Sequence, residues 1–149
     1  MLRLVGGGTV KSIVWDGRDY TYTPFDASAG RDFTDVVITT TTETIVLAGT
    51  VQDGKGGIST TASVLVFPVE KAQWSGYGYT PPRIKSAGVS SAGIYRFQSL
   101  PAGEYFVVAV DASQTDAWQD PKLLDALSRR ATRVTLDWDG RVTQDLILK

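Results

Sequence analysis

The sequence contains no cysteine, no histidine and no asparagine. Without cysteine there is no disulfide, no thiol nucleophile and no thiolate metal site. Without histidine the chain lacks the commonest general base and the commonest transition-metal ligand. The missing asparagine removes any N-glycosylation acceptor and any lysine–asparagine isopeptide crosslink. Serine hydrolysis fails for want of a histidine and of any Gly-x-Ser-x-Gly elbow. No run approaches 18 apolar residues, so no membrane-spanning segment is expected. A basic excess is missing too: a net charge of −1 and a pI near 5.3 argue against a nucleic-acid partner.

What is present suits an all-β domain. The chain has 149 residues, enough for one domain with an appendage. Its organising stretch is Gly93–Asp111. Tyr95 and Phe97 alternate with Ile94, Arg96 and Gln98, the pattern of a half-buried strand. Leu100-Pro101-Ala102-Gly103 reads as a tight corner, because proline presets one backbone angle and glycine tolerates positive φ. Tyr105 to Val110 is then apolar on both faces, so this strand is expected to be central and covered on both sides.

These residues carry a resemblance. Gly93-x-Tyr95-x-Phe97-x-x-Leu100-Pro101-x-Gly103-x-Tyr105 resembles the central signature of the carboxypeptidase regulatory-like domain, a transthyretin-like β-sandwich. Leu47-Ala48-Gly49-Thr50-Val51-Gln52-Asp53 with Gly56-Gly57 is similar to that family's first strand and turn, with Ile58 where a proline is common. Asp120-Pro121 and Ala131–Leu136 resemble a bacterial subgroup found in large exported proteins. The resemblance implies an antiparallel, Ig-like sandwich over residues 43–149, of about seven strands with one short helix before the last hairpin. It carries no catalytic residue and implies an accessory module, so no enzyme is expected. It also implies an extracellular, periplasmic or cell-surface setting, as part of a longer exported chain. Met1–Val5 reaches Gly6-Gly7-Gly8 too soon for the apolar core of a signal peptide.

Residues 1–42 resemble the closing strands of an upstream repeat. Val10–Trp15 and Arg18–Thr23 are strand partners about an Asp16-Gly17 turn. Asp35–Thr40 is a further strand, running into the threonines 39–42, which read as an exposed strand end or linker. Docking of this segment on the sandwich would cover the second apolar face of the central strand, Phe106, Val108 and Val110. Thr44–Gln52 is a strand with Gly49 where another backbone can approach. Ser63–Val69 is an apolar strand, with Pro68 marking an edge or bulge. Asp120 and Pro121 open a helix whose leucines 123, 124 and 127 share one face, with Trp118 able to pack back on it. The chain closes with a predicted hairpin through Trp138-Asp139-Gly140. A three-residue loop with Gly140 left-handed and a bulge would pair Leu136 with Val142.

Chemistry-bearing groups are few. Asp53-Gly54-Lys55-Gly56-Gly57 lacks the lysine–serine ending of a phosphate loop and joins strand to strand. Asp111, Asp116 and Asp120 would suit calcium, but without any established spacing for it. No cofactor and no metal site is expected. The unusual loop is Lys71–Lys85, where Trp74, Tyr77 and Tyr79 sit among glycines and prolines. These three are the candidate ligand contacts, for polysaccharide stacking or protein contact, against the simpler reading that they cap the sandwich end. Function is therefore expected to be a structural or interaction module. The alternatives are a carbohydrate-binding module using residues 74–79, or a self-assembling subunit using the N-terminal strands. Expected partners are other domains of the same chain or neighbouring subunits.

Overall fold

A strand with apolar side chains on both faces is stable only between two covers, and the fold supplies both. The computed structural model describes residues 8–26, 28, 30, 32–76 and 81–148. In chain order the strands are β1 (Thr9–Trp15), β2 (Arg18–Asp19), β3 (Val37–Thr41), β4 (Val46–Gln52), β5 (Ala62–Pro68), β6 (Lys85–Gly88), β7 (Ile94–Gln98) and β8 (Gly103–Asp111). A helix, α1 (Pro121–Ser128), precedes β9 (Thr132–Leu136), β10 (Arg141–Thr143) and β11 (Leu146–Ile147).

One sheet runs β6-β5-β8-β9, antiparallel throughout. The facing sheet is built on β4, with β7 antiparallel on one side and β10 then β11 on the other. Between them lies a core of Leu47, Val51, Tyr95, Phe97 and Leu146 against Val64, Val66, Tyr105, Val107, Ala109 and Leu136. The molecule is thus a β-sandwich, as expected, of seven strands when β10 and β11 are taken as one interrupted strand. The corner at Leu100–Gly103 carries the chain from one layer to the other, and Leu100 is itself buried in the core.

The second face of β8 is covered, but not by the N-terminal strands as expected. Val108 and Val110 pack with Leu65 and Phe67 of β5 against Trp74, Ile84, Leu124 and Leu127. The helix therefore supplies the cover. Asp120 caps it, its carboxylate accepting from the Lys122 N–H at 2.8 Å, and Pro121 occupies the first turn. Eight residues are too few to persist as an isolated helix. Burial of Leu124 and Leu127, worth roughly 1.5–3 kcal/mol each, holds α1 in place. Trp118 joins the same cluster.

The predicted closing hairpin does not form. β9 pairs with β8, while β10 and β11 cross to the other layer and run parallel to β4. The left-handed residue in the link is Asp139, with φ of 62°, and Gly140 is not left-handed. The physical reason is that β4 has an unfilled edge opposite β7, and Leu146 is buried in the core only from that edge. Pro68 likewise ends an inner strand, not an edge. β6 reaches only as far as Val66, so no N–H is called for on that side of Pro68.

The crossing strand is interrupted where it passes Gly49. The Gln144 carbonyl comes so close that a Cβ built on Gly49 would lie 2.0 Å from its oxygen. The same carbonyl accepts from the Tyr95 hydroxyl at 2.6 Å. Asp145 then stands in for a backbone acceptor, taking the Thr50 N–H at 2.8 Å and the Thr50 hydroxyl at 2.8 Å.

β1, β2 and β3 form a separate three-stranded antiparallel sheet. Its hairpin follows the Asp16-Gly17 expectation: both residues have positive φ, as a type I′ turn requires, and Trp15 faces Arg18 across it. None of its described residues is fully buried, in contrast to the sandwich.

Two outcomes follow. Gly49→Ala forces a methyl group into the Gln144 carbonyl and is expected to destabilise the fold by about 3 kcal/mol in urea unfolding. The carboxyls of Asp19, Asp111, Asp125 and Asp145 are held below their ordinary range. The causes are, respectively, the Thr21 hydroxyl, the Ser113 hydroxyl, the Lys71 ammonium and the Thr50 N–H. The native state thus binds protons more weakly than the unfolded one. Their contribution is complete above an unfolded pKa of about 3.9 and is lost as pH falls through the lower native values. With no histidine, melting temperature is expected to stay level from about pH 5 to 8 and to fall below about pH 4. Asp145→Asn should soften that acid fall.

Candidate functional site

Of the three sequence-predicted contacts, Trp74 lies among the described residues. Trp74 is buried, 3% exposed, with its indole N–H donated to the Pro68 carbonyl at 2.7 Å and its ring edge-to-face with Phe67 at 5.6 Å. It packs with α1 on the outer face of the β5–β8 pair, so its ring is not exposed for stacking on a sugar. Tyr77 and Tyr79 lie outside the described residues. Asp111 and Asp120 are engaged with their own backbone, at Ser113 and Lys122. In the glycine-rich turn the Asp53 carboxylate accepts the N–H groups of Lys55 and Gly57, which a phosphate loop would turn toward its ligand.

An aromatic site is found elsewhere, on the N-terminal sheet. Trp15 at the end of β1 meets Phe33 edge-on at 4.9 Å, and Phe25 lies between Tyr20 and Phe33. Tyr20 and Phe25 are stacked, centroids 4.5 Å apart and planes within 16°. The indole N–H of Trp15 donates to the Thr34 carbonyl at 3.0 Å, tying the loop after β2 back to β1. Beside this cluster opens a cavity of about 590 Å³, lined by Ile13, Tyr20, Thr21, Tyr22, Thr23, Pro24, Phe25, Phe33, Val36, Ile38 and Pro82. Among the described residues no charged side chain lines it. Its polar atoms are hydroxyls and backbone groups, and one hydroxyl, that of Thr21, is already taken by Asp19 and the Ile13 N–H.

Below the cavity, Arg83 joins this sheet to the sandwich. The residue is 7% exposed, and its guanidinium lies over the rings of Tyr22 at 5.0 Å and Tyr105 at 4.5 Å. Its Nε–H donates to the Tyr105 hydroxyl at 2.9 Å and Nη1 to Gln73 Oε1 at 2.6 Å. Among the described residues no carboxylate pairs with it, so the charge is held by ring faces and neutral acceptors. The Tyr105 hydroxyl in turn donates to the Pro101 carbonyl at 2.6 Å, and burial pushes its pKa up to about 12. Burial raises Tyr22 as well, with Arg83 opposing. Gly103, at φ of 145°, leaves the space that Arg83 Nη2 fills. Lys11 over the ring of Trp138, at 5.6 Å, is a second contact between the N-terminal sheet and the sandwich.

The crowding of Trp15, Tyr20, Tyr22, Phe25 and Phe33 into one short N-terminal segment was the available sequence signal for this site. The 74–79 loop drew attention instead because glycines separate its rings, although Trp74 lies in a turn that packs on the sheet.

No family model matches the chain, and no curated protein matches it. Solved structures do. Catechol 1,2-dioxygenase of Acinetobacter sp. ADP1 is 16% identical at a TM-score of 0.39, over 70% of this chain and 52% of that one. A candidate carbohydrate-binding protein of Pseudomonas aeruginosa is 16% identical at 0.40, over 69% and 88%. The major pilin subunit of Bacillus cereus is 10% identical at 0.42, over 76% and 31%. The chain thus spans about half of the dioxygenase and about a third of the pilin. One expectation is corrected here: that the chain is not an enzyme does not stand, because dioxygenases are among the structures it is similar to. At these identities the likeness is one of fold and assigns no activity.

Replacing Arg83 tests the joint. Arg83→Met is expected to lower stability by about 2–4 kcal/mol in chemical unfolding, since Gln73 and the Tyr105 hydroxyl lose a buried donor. Arg83→Lys should recover little, because a single ammonium cannot reproduce the planar fork.

Proposed function

We propose that the chain is an interaction module of an exported bacterial protein, and that it receives apolar side chains of a partner polypeptide in the aromatic cavity of its N-terminal sheet. In this reading residues 1–42 dock as extra strands on the sandwich of residues 43–149. The contacts of Tyr22 with Arg83 and of Lys11 with Trp138 support that docking. Export is supported by the resemblance of Asp120-Pro121 and Ala131–Leu136 to a bacterial subgroup of the carboxypeptidase regulatory-like domain found in large exported proteins.

The observation that carries the reading is the cavity itself, concave, aromatic and, among the described residues, lined without charge. A sugar presents many hydroxyls, and losing their water without carboxylate or amide partners is unfavourable. Proline and aromatic side chains need only ring faces and the occasional hydroxyl, which Tyr20, Tyr22 and Phe25 provide.

Titration with a proline- and aromatic-rich peptide, followed by tryptophan fluorescence, tests this. Saturable binding is expected, weakened at least about tenfold by Phe25→Ala and with its signal lost in Trp15→Phe. Binding of a soluble glucan that survives Phe25→Ala, with none of the peptide, would overturn the reading.

A further inference from the structure

Among the described residues, sheet edges are guarded with one exception. β2 is two residues, Arg18 and Asp19, and β11 is also two residues. Lys85 lies in β6, Arg96 in β7, Arg133 in β9 and Arg141 in β10. Charges and short lengths of this kind are how sheets avoid pairing with other chains. β3 has neither. Val37-Ile38-Thr39-Thr40-Thr41 is wholly β-branched and uncharged, without proline or glycine, and Val36 and Thr42 extend the same character on both sides. One edge pairs with β1; no strand among the described residues pairs with the other. Val37 is 60% exposed and Ile38 36%, on opposite faces.

We propose that the outer edge of β3 pairs antiparallel with β3 of a second copy of this chain, joining the two three-stranded sheets into one across a two-fold axis. Two features favour a second copy over an unrelated strand. Antiparallel pairing of identical strands is self-complementary and closes on itself. Val37–Thr41 also brings no like charges together within the strand when it meets itself, and threonine and valine pair well across strands. Ile38 lines the aromatic cavity, so the pairing would set two cavities side by side on one sheet face.

The absence of any native cysteine makes the test direct. Single cysteines placed in turn at positions 37 to 41 should show one position, at the two-fold axis, that oxidises to a linked dimer far faster than Ser86→Cys on the β6 edge. Sedimentation velocity of the unmodified protein should show a concentration-dependent dimer. Thr39→Lys should weaken it at least about tenfold while keeping the circular dichroism of the fold, and mixing Thr39→Lys with Thr39→Glu should restore a mixed dimer. A monomer at every concentration overturns the proposal, as does a dimer indifferent to Thr39→Lys. So does a cysteine series no faster than the β6 control. Peptide binding at the aromatic cavity is read separately: Phe25→Ala should leave the dimer intact, and Thr39→Lys should leave peptide binding intact.

Discussion

The two-sided apolar character of β8 governs the structure. Tyr105, Val107 and Ala109 require a facing sheet, and β4 with its neighbours provides it. Val108 and Val110 on the reverse require a second cover, and the leucine face of α1 with the buried Trp74 supplies it over a strand already paired on both sides. The insertion of α1 between β8 and β9 follows from that need. Placed there, the helix folds back over the strand it has just left. Pro121 and Asp120 fix where it starts, so the leucines arrive in register with the valines.

The N-terminal sheet obeys a different rule. With no fully buried residue among those described, it cannot owe its order to a core of its own. Ring-on-ring contacts around Phe25 and the Arg83 guanidinium between Tyr22 and Tyr105 take that place. Such contacts are directional and leave the cluster partly open to solvent. A sheet held in this way keeps contiguous apolar surface available for other molecules.

Much of the sandwich was legible from local chemistry. Asp16-Gly17, Asp120-Pro121 and the proline corner at Leu100–Gly103 each specify backbone geometry without reference to distant residues. Gly49 announced a close approach, and the Gln144 carbonyl is what approaches. The errors concern choices between distant partners. The spacing of Val142 and Leu146 fits a hairpin with β9 as well as a place beside β4, and only the empty edge of β4 decides between them. The cover of β8 was similarly open, since both an N-terminal sheet and a helix could supply apolar area. Trp74 looked like a ligand contact because its neighbours on the C-terminal side are glycine-rich, while its burial depends on a short turn that folds it back on Phe67 and Pro68 of β5.

The parallel seating of β10 and β11 against β4 has a kinetic side. Arg141 meets Val46, so this part of the sheet joins residues almost a hundred positions apart in the chain. Closing so long a loop is slow, and the rest of the sandwich must be in place first. During synthesis β4 therefore emerges early and waits, one side bare, until β10 and β11 have left the ribosome. Throughout that interval any extended, uncharged segment is a competitor for the vacant position, and correct folding depends on the C-terminal strand arriving before one does.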